Sequence, residues 1–353
     1  MRTHRFAHLL TLFWIFLLSV MCIATAAVAM LPIPHLKEWE DNMVRYGAKH
    51  LHPMSEVNEQ DVWYYDGIKV YYQIAEYTKD THWRTGAQYA KELYRDKLVL
   101  PNDGKIGGWR LFPHGLYLDY GLTGADKSKQ AALLIARNGA FADRKRDYSA
   151  TSRYDLRTVG LSREVAYNIH CYHVARDLGD LAFRGPDPYI DFALGHLDAW
   201  LDWLGRSPRP TYPYTPRGAT EGFQPFMVGL TMEALIRYAE RRDADTERKN
   251  RSLHVIAEAA RLMWDVAWLQ ESEAFYYESN ARRAAPDLNL LIAPAYAWVW
   301  HKTGEQKYLV MADKMFAGGV KRAWLDGGKQ FSQNYRWSFD YIKWRSGKPR
   351  ETE

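Results

Sequence analysis

From residue 35 to near the end of the chain, hydrophobic and polar positions recur with helical spacing. Leu36, Trp39, Met43 and Tyr46 follow one another at three and four residues, which predicts an amphipathic helix over 35–49. The next stretch, 61–77, carries apolar residues on nearly every face, among them Trp63, Tyr64, Ile68, Val70, Tyr71 and Ile74. A helix apolar all round is buried on all sides. The two kinds then alternate. One-sided stripes predict outer helices over 82–98, 127–142, 186–204, 246–268 and 306–320. Segments rich in buried residue types predict inner helices over 113–122, 162–177, 224–240, 288–303 and 331–344. Pro225 suits a first helical turn, and Pro294 marks a first turn or a kink. The best strand candidates, 274–277 and 322–325, fall between helices.

A short turn of one kind separates each inner helix from the outer helix after it. Thr303-Gly304-Glu305, Thr78-Lys79-Asp80 and Thr123-Gly124-Ala125-Asp126 are its clearest forms; Leu178-Gly179-Asp180 and Arg242-Asp243-Ala244-Asp245 are looser ones. Internal repetition decides the fold before anything else does. Here it gives six outer and six inner helices. The last inner helix has no outer successor and the first outer helix has no inner predecessor, so the two chain ends are expected to pair. The expected fold is all-α, an (α/α)6 toroid. Turn spacings from about 45 to about 65 residues argue against a solenoid of fixed period.

Composition adds a compartment and removes several partners. The 353 residues contain no Gly/Ser- or Pro-rich linker, so one domain is expected after a leader. Arg2 and Arg5, the apolar run Leu9 to Val20, and Ala27-Val28-Ala29 have the layout of a signal peptide over 1–29. Residues 30–353 then form a single catalytic domain of a periplasmic or secreted protein. The apolar stretch runs to Met30, so an uncleaved anchor is the alternative, and a membrane enters only through it. Cleavage removes Cys22 and leaves Cys171, which excludes an internal disulfide and a Cys-based zinc site. No HExxH, Walker loop, GxGxxG or DxDxDG pattern occurs, and no metal or cofactor is assigned. The formal charge of +5 falls to +3 once Arg2 and Arg5 are removed, too little to imply nucleic acid. Aromatic residues make up 14%, which suits either stacking on sugar faces or filling helical cores.

Long connections join each outer helix to the next inner one, and loops carry function more often than short turns do. The pocket is therefore expected at that end of the ring. The connection over 144–163 carries Arg144, Lys145, Arg146, Arg153, Arg157 and Arg163, a basic run that suits an anionic ligand. The order of hairpins, the Thr-Gly-Glu type of turn and the aromatic inner helices resemble the six-hairpin glycosidase superfamily and the related α/α-toroid polysaccharide lyases. The most distinctive stretches are Phe223-Gln224-Pro225-Phe226-Met227, Pro286-Asp287-Leu288-Asn289-Leu290-Leu291 and Gly328-Lys329-Gln330-Phe331-Ser332-Gln333-Asn334-Tyr335-Arg336-Trp337. The resemblance spans nearly the whole mature chain as architecture. It implies a glycan-active protein, but no motif transfers residue by residue.

Candidate chemistry comes from the residues themselves. A glycoside hydrolase needs two carboxyl groups flanking the bond. Glu164 and Glu221, at inner-helix starts, are the candidate pair, since an acid in an apolar wall is held protonated. Carboxylates there also favour the helix dipole without any catalytic role. A lyase instead neutralises a uronate, abstracts a proton and protonates a leaving oxygen. Arg163, Tyr167 and His170, at i, i+4 and i+7, share one helix face for that work. Packing as hydrogen-bonded core residues is the other account of Tyr167 and His170. Trp109 and Arg110, in Gly107-Gly108-Trp109-Arg110, with Trp63, Tyr64, His114, Arg336 and Trp337, complete the expected glycan-binding set. The expectation is an exported enzyme that cleaves glycosidic bonds in a polysaccharide or oligosaccharide. Hydrolysis leads and β-elimination on a uronate polymer is the alternative; a non-catalytic periplasmic glycan-binding protein is the third reading.

Overall fold

The computed structural model describes residues 32–51, 58–139, 161–180, 182, 187–206, 224–278, 283–347 and 349. The leader over 1–29, Glu221 and the basic residues 144–157 lie outside them. Residues from Pro34 on form one compact unit. It is helical, as expected. The helices are α1 (Leu36–Leu51), α2 (Glu59–Trp63), α3 (Gly67–Thr78), α4 (Arg84–Lys91), α5 (Pro113–Thr123), α6 (Asp126–Asn138), α7 (Leu161–Asp177), α8 (Asp187–Arg206), α9 (Pro225–Ala239), α10 (Thr246–Ala267), α11 (Asn289–Thr303), α12 (Gln306–Arg322) and α13 (Gly328–Ser346). A π-helical segment, Glu92–Val99, continues α4. One hairpin pairs β1 (Trp268–Leu269) with β2 (Ala274–Phe275), while 323–325 has no regular structure.

Two kinds of helix follow from two kinds of pattern. In α11 every residue from Asn289 to Trp300 is buried, and in α9 nearly every residue is. In α10 one stripe is buried, Ser252, Val255, Ile256, Ala259, Ala260 and Met263, at spacings of three and four. The contacts sort accordingly. Helix α3 touches α5, α5 touches α7, α7 touches α9, α9 touches α11, α11 touches α13, and α13 touches α3 again. The outer helices α4, α6, α8, α10 and α12 each pack on the inner helix before them, and α1 packs on α13. At that last contact Trp39 Nε1 donates to Ser338 Oγ at 3.0 Å and Tyr335 OH donates to the Trp39 carbonyl at 2.8 Å. The Trp39 ring, 1% exposed, packs edge-on against Phe339.

The recurring turn has one mechanism. Thr78, Thr123 and Thr303 each donate a hydroxyl to the carbonyl four residues back, at 2.8, 2.6 and 2.8 Å. Each hydroxyl also accepts from the backbone N–H two residues on, at 3.3, 3.2 and 3.2 Å. The side chain thus satisfies a terminal carbonyl and bends the chain at once. The residue after it is left-handed: Lys79 at φ 59°, Gly124 at 71° and Gly304 at 73°.

Two local expectations change. The single helix expected over 61–77 breaks at Tyr64-Tyr65-Asp66, where Tyr65 and Asp66 have φ of 59° and 63°. Asp66 accepts from Lys69 N at 3.3 Å and from Gly115 N at 3.1 Å, so capping outweighs helical continuation there. Pro294 lies inside α11, past its first turn.

Joining of the chain ends at Trp39 gives the first prediction. Trp39→Ala should lower unfolding free energy in urea by about 3–5 kcal/mol. A loss under about 1 kcal/mol would mean that this contact contributes little to holding the ends together.

Candidate active site

All six inner helices contribute side chains to one cavity of about 450 Å³. Its floor is charged. Lys69 comes from α3, His114 from α5, Glu233 and Arg237 from α9, and Trp337 and Asp340 from α13. Glu233 is the hub. Its Oε1 accepts from Arg237 Nε at 3.0 Å and its Oε2 accepts from Trp337 Nε1 at 2.5 Å. Glu233 Oε2 also lies 3.5 Å from His170 Nε2 and 4.0 Å from Arg336 Nη2. Arg237 turns its other edge to Asp340, at 2.9 Å. Lys69 Nζ donates to the Arg336 carbonyl at 3.0 Å and stands 3.9 Å from Asp340.

Burial and neighbouring charge set the protonation states. Burial pushes the Glu233 carboxyl up, but His170, Arg336 and Arg237 outweigh it and hold the group well below the ordinary carboxylate value. Burial draws the Lys69 amine down to about 8, helped by Arg237 and opposed by Asp340 and Glu233. Burial draws His170 down to about 4 against the pull of Glu233. His114 and His173 are held well below the ordinary value, by burial first and then by Arg237 and Arg241 respectively. The imidazoles are therefore neutral near pH 7. The rings of His114 and His170 lie 4.8 Å apart, and His114 Nδ1 has no hydrogen-bond partner. A neutral imidazole thus stands on the cavity wall, backed by a second imidazole and then by a carboxylate.

The expected site residues divide into groups. His114 and Trp337 line the cavity. Tyr167, His170 and Arg336 are brought to its floor but are wholly buried behind it. The Arg336 guanidinium lies 5.1 Å from the Tyr167 ring centre and 4.4 Å from that of Trp337. Arg163 is half-buried and acts electrostatically on Tyr65 and Tyr167. Trp63 and Tyr64 are not open platforms. Both are buried, stacked on each other at 5.8 Å and packed against Phe112, because every residue from Val62 to Asp66, at the end of α2 and in the turn after it, is buried. Trp109 is open, 42% exposed, with Arg110 over its ring at 5.8 Å, but it is not part of the cavity wall. Glu221 and the Glu164 side chain fall outside the described residues.

Sequence reasoning missed Lys69, Glu233 and Arg237. The available signal was a charge inside a helix that reads as apolar all round, since such charges are rarely buried unless paired. Among the described residues no group of three His, Cys, Asp or Glu could hold a metal ion, and no helix is long and apolar enough to cross a membrane. Comparison with protein-family models, curated proteins and solved structures found no match.

The depressed histidines predict acid sensitivity. The unfolded chain takes up protons near the ordinary histidine value of 6.5, which folded His170 refuses until about pH 4. This contribution is complete above about pH 6.5 and is lost as pH falls toward 4, on the order of 3 kcal/mol for His170. Urea midpoints measured from pH 7.5 to 4 should fall steadily across that window. A flat profile, or a rise on acidification, would contradict neutral burial of these rings.

Proposed function

We propose that the cycle of inner helices is an (α/α)6 toroid and that the chain is an exported carbohydrate-active enzyme working in its central cavity. The chemistry we infer is β-elimination on a uronate-containing polysaccharide. The observation that carries this reading is the pairing of an unpartnered, neutral His114 with the cationic Lys69 on one cavity wall. Lys69 would hold the uronate carboxylate and so acidify the proton at C5. His114 would take that proton. The electron pair left at C5 forms the C4–C5 double bond as the C4–O bond breaks, and the leaving oxygen takes a proton back. His170 and Glu233 position His114 from behind.

Hydrolysis needs a protonated acid and a second free carboxylate. Glu233 is held charged, and both Glu233 and Asp340 are bonded to Arg237, which favours elimination over the hydrolytic reading. The hydrolytic pair Glu164 and Glu221 would have to act without these two.

The test is to incubate purified protein with a panel of uronate polymers. Unsaturated products, seen by ultraviolet absorbance, are expected, and His114→Ala should reduce turnover by about 100-fold or more with a smaller effect on KM. Reducing ends without that absorbance would mean hydrolysis. Neither signal would leave a glycan-binding protein.

A further inference from the structure

Exposure along the cavity wall rises in one direction. On α3 the lining passes from buried Lys69 through half-buried Gln73 to exposed Glu76. On α9 it passes from buried Glu233 through half-buried Arg237 to exposed Glu240 just beyond the helix. On α13 it passes from buried Trp337 through half-buried Asp340 to exposed Lys343. Each run points to the C-terminal end of its inner helix, the end at which the threonine turn follows α3. Tyr117, 37% exposed, stands on the same lining.

The opposite end is plugged. Arg336, with no exposed surface, has its guanidinium 4.4 Å from the ring of Trp337, 5.1 Å from Tyr167 and 5.4 Å from Phe112. Tyr65 closes on Trp337 edge-on at 5.6 Å, from the strained left-handed turn before α3. Among the described residues, rings around a buried cation, supplied from α7, α13 and the segments entering α3 and α5, close this end of the cavity. The volume, about 450 Å³, is in the lower part of the range of about 300–1,000 Å³ for small-molecule pockets. That is room for one or two pyranose rings.

We propose that the cavity is a dead-end pocket entered from the short-turn face, and that it receives the terminal one or two units of the glycan. This rests on the glycan reading given above and specifies how that site is used: cleavage proceeds from a chain end. Polymer viscosity should then fall slowly while mono- or disaccharides accumulate from the start. Entry is tested with Tyr117→Cys and Trp324→Cys, each in a full-length chain carrying Cys22→Ser, where the remaining Cys171 is buried. Trp324 is exposed in the connection between α12 and α13, at the other end of the inner helices. A bulky maleimide on Tyr117→Cys should cut turnover on the order of tenfold, and the same label on Trp324→Cys should not. Early loss of viscosity with long intermediates, or no effect of the label at Tyr117→Cys, would overturn the proposal. If no polymer is cleaved, the elimination reading fails by itself. The labelled variants are then compared in calorimetric binding of a uronate disaccharide. Loss of binding with labelled Tyr117→Cys supports entry at that face, and retained binding refutes it. Failure of the unlabelled protein to bind overturns both readings.

Discussion

The Glu233 carboxylate is the point on which the centre of the molecule depends. Taking a carboxylate out of water costs several kcal/mol even after the surroundings relax. Here Arg237 and the Trp337 indole donate to it directly, and His170 and Arg336 lie within 4.0 Å. These bonds tie α9 to α13, and the Arg336 carbonyl accepting from Lys69 ties α13 to α3. Such a cluster is a poor stability device, because apolar residues of similar volume often serve as well or better. Its place on the floor of a cavity lined by all six inner helices is accounted for by what the charges do there. Glu233 and Asp340 oppose the fall that burial and Arg237 impose on the Lys69 amine, and burial leaves His114 and His170 uncharged.

The helical class and the helix positions were largely legible. Helical spacing located the long helices to within a few residues, because residues 288–300 or 225–239 have no polar face to leave in water. The repeated threonine turn was legible too, since its hydroxyl makes the same two backbone bonds at Thr78, Thr123 and Thr303. The break at Tyr64-Tyr65-Asp66 was not. Nothing local distinguishes it from a helix, and it exists because Asp66 finds Gly115 N on another helix. The site was legible in part. His114, Arg336 and Trp337 were named from their positions on inner helices. Trp63 and Tyr64 were named as platforms because an aromatic ring reads alike whether it stacks on a sugar or on Phe112. Lys69, Glu233 and Arg237 escaped because, beyond the Glu233–Arg237 pair within α9, their partners lie on α13, far away in sequence.

Orientation shows most clearly what a sequence withholds. Long connections pointed to one end of the ring, whereas among the described residues the cavity wall becomes exposed at the other. The reason is the Arg336 plug, whose three aromatic neighbours come from segments as far apart as Phe112 and Trp337. Burial on one side and exposure on the other also order the polar groups. Neutral imidazoles lie near the dry floor, and the exposed side chains of Glu76 and Lys343 lie at the rim.

A crystal structure of the protein soaked with a uronate disaccharide tests the central claim most directly. The account expects sugar density in the central cavity, with a carboxylate on Lys69 and C5 toward His114. Sugar bound at Trp109 on the outside, with the central cavity unoccupied, would contradict it.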